Sequence, residues 1–470
     1  MLFSSLDFWL FCLVVLSIYY ALSYKAQNIF LILANFFFYS FFDKRFCILL
    51  AFVTLLNYYC GLKTVPNCQH RKFFLYLSIL GSLITLCFFK YYNFFTNSFA
   101  QIFAILGLAP PFPTLNIIFP IGISFYTFQA MSYPIDVYQK KIKPTRDIIS
   151  VLAFMTFLPQ LLAGPIERAD RMIPQFQQPR IVDRYMLGAG VYLILIGLFK
   201  KIAIADSLSN EVNNVFSNIE ITPWPELIGG LLLYTIQIYC DFSGYSDIAR
   251  GIGYLFGIHL TINFNQPYFS QNISEFWRRW HITLSTWLRD YIYIPLGGSR
   301  VNRMKHLRNL LITMTLCGIW HGANWTFIIW GFLHGIYLCC HQLLSKKIER
   351  ISKSFTSQKA IKFCNTILTF ILVAFAWLFF RVSCLSEAFV YIKRIFLCQG
   401  TNDDFLFYCA HIIFYIALVL FIDIPQYLSN DHTVMLKWPW QKQGLFCSVI
   451  LILIILLAPG NEIPFIYFQF

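Results

Sequence analysis

His321 stands in the run I-W-H-G-A-N-W-T-F-I-I-W-G-F-L-H-G at 319–335, where nearly every neighbour is apolar. An ionisable side chain at membrane depth is a functional candidate by default. Imidazole is the usual general base near neutral pH, and an apolar pocket keeps it uncharged and ready to accept a proton. On a continuous helix, Asn324 and Trp325 would share the face of His321, at i+3 and i+4. Gly318, Gly322, Gly331 and Gly335 would let other backbone or a ligand approach closely. The bland alternative is a neutral histidine bonded to a neighbouring helix. His334 is the second candidate on the same run.

A second constellation is F-W-R-R-W-H-I-T-L-S at 276–285. His281 is flanked by aromatics and preceded by Arg278 and Arg279, with Trp277 one turn behind and Ser285 one turn ahead. The guanidinium groups suit forked contacts to phosphate. They suit lipid headgroups equally well. The third is Y-C-D-F-S-G-Y-S-D-I-A-R-G-I-G at 239–253, which puts Asp241, Asp247 and Arg250 inside a long apolar segment. Its first reading is a polar knot between helices, with Asp247 and Arg250 spaced for a local ion pair. Gly251 and Gly253 follow no strand, which excludes a dinucleotide fingerprint. No metal site is expected, because H-E-x-x-H and a histidine pair at i, i+4 are both missing. Ser243 lies in D-F-S-G-Y and lacks the G-x-S-x-G setting of a serine nucleophile.

The elements that must position these residues are membrane helices. Of 470 residues, 58% are hydrophobic and only 12% charged, and mean hydropathy is +0.61. A soluble fold could not hide so much apolar surface, whereas lipid removes that constraint. Aromatics reach 19%, part of which suits the headgroup belts. Apolar runs long enough to cross occur at 6–23, 28–42, 46–62, 73–89, 115–137, 148–163, 187–205, 227–258, 363–380, 407–428 and 445–458. The run 310–340 is long and interrupted. About eleven or twelve spans are expected, in an all-α polytopic fold over a single domain, 1–470, with no internal repeat.

The net charge of +14 sits in short loops between apolar runs, as in cytoplasmic loops. Nucleic-acid binding is excluded for want of a basic groove with a reading motif. The basic segments 140–146 and 345–362, the latter with Lys346, Lys347, Arg350, Lys353 and Lys359, read as cytoplasmic. The acidic segments 206–226 and 399–404 read as facing outside. The 14 cysteines show no C-x-x-C spacing, and Cys12, Cys60, Cys87, Cys364 and Cys447 lie in apolar runs, where a thiol is a small hydrophobe. Residues 1–7 hold no Lys or Arg, so the first apolar run is expected to be a retained helix and not a secretory signal. The region 263–308 breaks the pattern, since Trp277, Trp280, Trp287, Tyr291 and Tyr293 alternate there with charges. It is either an amphipathic helix in the interface or a partly re-entrant segment that lines a cavity.

Five motifs carry a resemblance to the membrane-bound O-acyltransferase family. They are D-F-S-G-Y-S-D-I-A-R-G at 241–251, N-F-N-Q-P-Y-F-S-Q-N-I-S-E-F-W-R-R-W-H-I-T-L-S at 263–285, D-Y-I-Y-I-P-L-G-G-S-R at 290–300, W-H-G-A-N-W at 320–325 and F-I-Y-F-Q-F at 465–470. The sequence resembles most closely the bacterial branch that contains the membrane subunit of alginate O-acetyltransferase. The resemblance implies that His321 is the catalytic histidine and His281 the second functional one, with the catalytic core at 241–335. It also implies a buried tunnel through which an acyl group passes from a cytoplasmic thioester, acetyl-CoA or another, towards an extracytoplasmic polysaccharide. No tightly bound cofactor and no metal are needed. The partner implied is a separate extracytoplasmic, esterase-like protein, since the sequence shows no soluble domain for the second transfer. The location implied is the bacterial cytoplasmic (inner) membrane.

The residues themselves add a donor collar. Arg278, Arg279 and Trp277 would suit phosphates and adenine, and Trp320 and Asn324 flank His321 as further candidate substrate-binding residues. Related acceptors stay open: an alginate-like glycan, peptidoglycan, cellulose, or D-alanylation of teichoic acid. From another class, a glycolipid or anion transporter would line its path with Asp241, Asp247 and His321, although its repeats are missing. A structural scaffold is the remaining reading.

Overall fold

The computed structural model describes residues 1–109, 112–353, 358–401 and 405–468, with side chains throughout these except at 346–353 and 405–407. Lys346, Lys347, Arg350 and Lys353 of the basic segment, residues 402–404 of the acidic one, and Gln469 and Phe470 of the last motif lie outside the described side chains. Among the described residues every regular element is helical. The chain forms two compact units, Met1–Val191 with Ile248–Thr261, and Tyr192–Asp247 with Ile262–Phe470.

The first unit is built from α1 (Leu6–Ala21), α2 (Tyr24–Ser40), α3 (Lys44–Lys63), α4 (Arg71–Ile105), α5 (Ile123–Tyr138), α6 (Ile148–Thr156), α7 (Leu158–Leu161) and α8 (Ala169–Phe176). Side-chain oxygens start several of them. Ser5 accepts from Phe8 N at 3.3 Å, and Asp43 from Arg45 N at 2.9 Å, which satisfies amides that a helix leaves unpaired at its start. Asn57 of α3 bonds Ser78 and Ser82 of α4 at 2.6 and 2.9 Å, the polar contact expected where helices meet without a hydrophobic drive between them.

The second unit holds the candidate chemistry. After α9 (Arg184–Leu198) the helix widens to a π-helix over Phe199–Asp206 and resumes as α10 (Ser207–Ser217). Next come α11 (Trp224–Leu255), α12 (Ile273–Arg279), α13 (Ile282–Leu288), α14 (Arg303–His321), α15 (Trp325–Lys353), α16 (Gln358–Arg381), α17 (Leu385–Phe396), α18 (Phe405–Ser429) and α19 (Trp440–Leu457). Helices α9 and α11 contribute residues to both units.

The polytopic all-helical class stands. Among the described residues eight helices are long and apolar enough to span a bilayer, and Leu6–Ala21 is a shorter apolar one. The run 115–137 is helical only from Ile123, after Pro120 and Gly122 at φ 79°. The run 148–163 breaks at Phe157, where the backbone extends and Pro159 enters the first turn of α7. A proline lacks the amide that would continue the preceding helix. The side chains of α6 and α7 are largely buried in protein, so apolarity there serves a core and not lipid.

The run 310–340 becomes a hairpin of α14 and α15. Gly318 and Gly331 make it possible: a Cβ on Gly331 would lie 2.9 Å from the Gly318 Cα. The two backbones therefore approach as small residues allow in membrane helix pairs. The region 263–308 is neither one amphipathic helix nor a plain loop. Two seven-residue helices, α12 and α13, are separated by a break at His281 (φ 40°, ψ 54°), and Phe276, Trp277, Trp280, Leu284 and Trp287 are buried.

Candidate active site

The break between α12 and α13 is stitched to the irregular stretch before it. Asn265 N donates to Arg279 O and Ile282 N to Asn263 O, each at 2.9 Å. Asn272 caps α12 by accepting from Glu275 N at 2.8 Å, while the Glu275 carboxylate accepts from Gln271 N at 2.9 Å, a reciprocal cap of the capping-box type. These bonds hold the chain on both sides of the left-handed turn at His281. Its ring is fully buried. It packs edge-on to Phe242 at 4.7 Å, with Phe264 at 6.3 Å and Trp320 at 6.0 Å between ring centroids. Burial pushes the imidazole down to about 3, so it stays neutral at physiological pH, because desolvation penalises the charged form.

His321 is the last residue of α14, and Gly322 caps the helix in an extended conformation. Its ring is buried among Trp320 (5.0 Å), Trp330 (4.9 Å), Phe380 (5.2 Å) and Tyr467 (5.6 Å). The centroids of His281 and His321 are 6.4 Å apart. Two histidines from separate motifs thus share one aromatic chamber.

Trp277 and His334 form a second locus. The indole Nε1 donates to His334 Nδ1 at 3.3 Å, and His334 is buried against Trp330 and Phe276. Trp277 also lines a cavity of about 440 Å³, together with Arg278, Arg289, Ser285, Tyr293 and an apolar set that includes Leu310 and Met314.

The structure separates several residues that the sequence grouped. Arg278 reaches the cavity, but Arg279 does not line it. Arg279 binds Glu275 Oε1 at 2.9 Å and Asn265 O at 3.0 Å and lies over the Tyr427 ring. As part of the α12 framework it is not available as a donor clamp. Asn324 does not share a helix face with His321, because the helix ends at His321. Asn324 instead starts α15, accepting from Thr326 N at 3.1 Å, and donates to Ser383 O at 2.7 Å. Trp320 does flank the chamber.

Reading the sequence missed the partners of its own acids. Lys200 pairs with Asp247 at 2.9 Å, and Lys201 with Asp206 at 2.6 Å and Asp241 at 2.9 Å. All five are buried, so Asp206 belongs to the interior and not to an outward loop. Two adjacent lysines in an otherwise apolar run were the available signal. Asp241 also accepts from Ile466 N at 2.7 Å, and Lys201 donates to Ile463 O at 3.2 Å. That anchors the segment that carries Tyr467, which sequence reading used as a family mark without giving it a place in the site. Among the described residues no three His, Cys, Asp or Glu side chains converge as metal ligands would.

The family model described as "MBOAT, membrane-bound O-acyltransferase family" matches residues 20–385. The chain is 41% identical over 393 residues to the probable alginate O-acetylase AlgI of Azotobacter vinelandii, covering 83% of this chain and 76% of that one. It is 34% identical over 511 aligned positions to the peptidoglycan O-acetyltransferase of Helicobacter pylori, covering 96% and 94%. A teichoic acid D-alanyltransferase of Bacillus subtilis is 29% identical over 285 residues, covering 58% and 71%.

Proposed function

The chain belongs to the membrane-bound O-acyltransferase family and is a multi-pass membrane O-acyltransferase; from that premise we propose that it moves acetyl groups from a cytoplasmic thioester, acetyl-CoA above all, across the inner membrane for O-acetylation of an extracytoplasmic polysaccharide. The carrying observation is the convergence of His281 and His321 in one buried chamber, 6.4 Å between rings, beside a helix that presents Trp277 and Arg278 to a cavity.

The chemistry needs one proton to move twice. His321 accepts the proton of the attacking hydroxyl as its oxygen adds to the thioester carbonyl. The C–S bond then breaks, and the imidazolium returns the proton to the leaving thiolate. The balance is alcohol plus thioester to ester plus thiol, with no metal required. General-base help of this kind is worth about 10²–10⁴-fold in rate. The cavity at Arg278 and Arg289 suits the donor, since its rim is cationic and its walls are apolar, as the charged and uncharged parts of a CoA thioester require.

An alginate-like glycan is the acceptor favoured by the A. vinelandii relative, and transfer onto it would be completed by an extracytoplasmic esterase-like partner. Peptidoglycan is the second reading, favoured by the H. pylori relative that aligns nearly end to end. The test is His321→Ala in membranes supplied with radiolabelled acetyl-CoA and the cognate polymer. The variant should insert, elute like the parent and lose polymer acetylation by at least about 100-fold. Undiminished acetylation in the variant, or acetylation that never depends on this chain, would overturn the reading.

A further inference from the structure

Asn263 Oδ1 lies where three groups meet. Thr283 N points at it from 3.2 Å, the Thr283 hydroxyl from 2.9 Å, and His281 Nδ1 from 3.1 Å. A backbone N–H can only donate, so the atom it meets is the amide oxygen, and that settles which way the Asn263 side chain is turned. Its Nδ2 donates the other way, to Ser246 Oγ at 3.3 Å, and its carbonyl accepts from Ile282 N at 2.9 Å. Asn263 is therefore held on both sides of the amide, and by its backbone, against the turn that carries His281.

An amide oxygen can only accept. The 3.1 Å contact is a hydrogen bond only when Nδ1 of His281 carries the proton. In a neutral imidazole the other nitrogen, Nε2, is then the lone pair. We propose that Asn263 is a positioning residue that fixes His281 as the Nδ1–H tautomer, so that Nε2 is its basic atom in the chamber shared with His321. The full burial of the ring and its depressed basicity keep it neutral, which preserves that lone pair. The inference rests on the O-acyltransferase reading for its consequence, since only there does a basic nitrogen beside His321 have a proton to receive. His334 provides an internal contrast. An indole N–H can only donate, so Nδ1 of His334 is the lone pair and its proton is on Nε2. Two equally buried histidines are set in opposite tautomers by one acceptor-only and one donor-only neighbour.

The experiment uses the full chain in detergent, labelled with ¹⁵N-histidine, with the His281 signals assigned by their loss in His281→Gln. Unaltered protein should show a protonated-type shift at Nδ1 of His281 and a lone-pair shift at Nε2. Asn263→Asp keeps an oxygen for both Thr283 and His281 and adds a charge. Among the described residues the titratable ring packed on His281 is His321 from α14, while Phe242, Phe264 and Trp320 do not titrate. The new carboxylate should therefore raise the His281 midpoint by about 1–3 pH units. An imidazole that protonates at higher pH loses its lone pair at higher pH, so the acid limb of the acyl-transfer profile should move upward with it. Asn263→Leu should release the tautomer, and should it fail to fold, Asn263→Asp decides alone. A proton on Nε2 in the unaltered chain, or an unmoved midpoint in Asn263→Asp, overturns the proposal. The expected spectra together with no acetyl transfer by the unaltered chain would sink the acetylation reading and leave the tautomer assignment standing.

Discussion

Two neighbouring regions of the second unit are built from the same materials and differ in what they can do. The chamber around His281 and His321, and the wall made by Trp277 and His334, are both lined with aromatic rings, and Trp330 of the α14–α15 hairpin packs on His321 and on His334. Each contains a fully buried histidine. In the wall, the lone pair of His334 Nδ1 is taken up by the Trp277 indole. In the chamber, His281 Nδ1 is met by the Asn263 oxygen, which on the proposal above puts the proton there and the lone pair on Nε2. Residue type and burial are the same in both places, so the neighbour decides the role. His334 holds a cavity wall, and the proposed chemistry falls to the chamber.

Three substitutions test that division, and the largest effect falls on what the two regions share. Gly331→Leu puts a branched side chain against the Gly318 backbone and the Met314 carbonyl. Both α14 and α15 would have to separate, and overpacking of this kind costs about 1–3 kcal/mol or more. Recovery of folded protein should fall sharply, with acetyl transfer lost in proportion; an unchanged elution profile with full activity would mean that the hairpin is not what holds the two regions together. Arg278→Ala comes next. Loss of a charged hydrogen bond, about 1.5–3 kcal/mol, should raise KM for the donor roughly 10- to 100-fold, with the pH profile unmoved. If kcat falls and KM does not, the cavity is not the donor site. The smallest effect is expected of His334→Leu, which leaves the indole N–H without an acceptor. A net hydrogen bond of about 0.5–1.5 kcal/mol predicts a rise in KM of up to about tenfold. His334→Gln, whose oxygen can accept from the same indole, should recover most of it. A collapse of kcat in both variants would place His334 in the chemistry and erase the comparison.

The candidate residues were legible, but their grouping was less so. His321 and His281 stand out because an imidazole in an apolar run is costly without a reason. Their meeting could not be read from periodicity, since it depends on a break at Trp280–His281 and another at Gly322. A helical pattern carried through Gly322 puts Asn324 beside His321, whereas the chain extends there and Asn324 opens the next helix. Arg278 and Arg279 are adjacent, and on a short helix adjacent side chains point about 100° apart, so one reaches the cavity and the other locks the framework. The apolar run 148–163 misled for a related reason. An apolar run buried by protein and one buried by lipid have the same composition, and α6 with α7 is the first kind. Lys200 and Lys201 fell inside the apolar run 187–205 without a role, because only the folded chain brings Asp206, Asp241 and Asp247 to them.

The π-helix at Phe199–Asp206 bears on which insertions and deletions the chain can accept. Such a segment is an α-helix with one residue more than its turns require. It lets two consecutive lysines meet acids that lie six positions apart on one helix, Asp241 and Asp247. Removing a single residue between Lys201 and Asp206 would restore a regular helix and keep its flanks in register, and the pair would pass from i, i+5 to i, i+4, still on one face. The stretch can therefore accept a one-residue deletion that an ordinary α-helical span could not, since there the same loss would turn everything beyond it by about 100°.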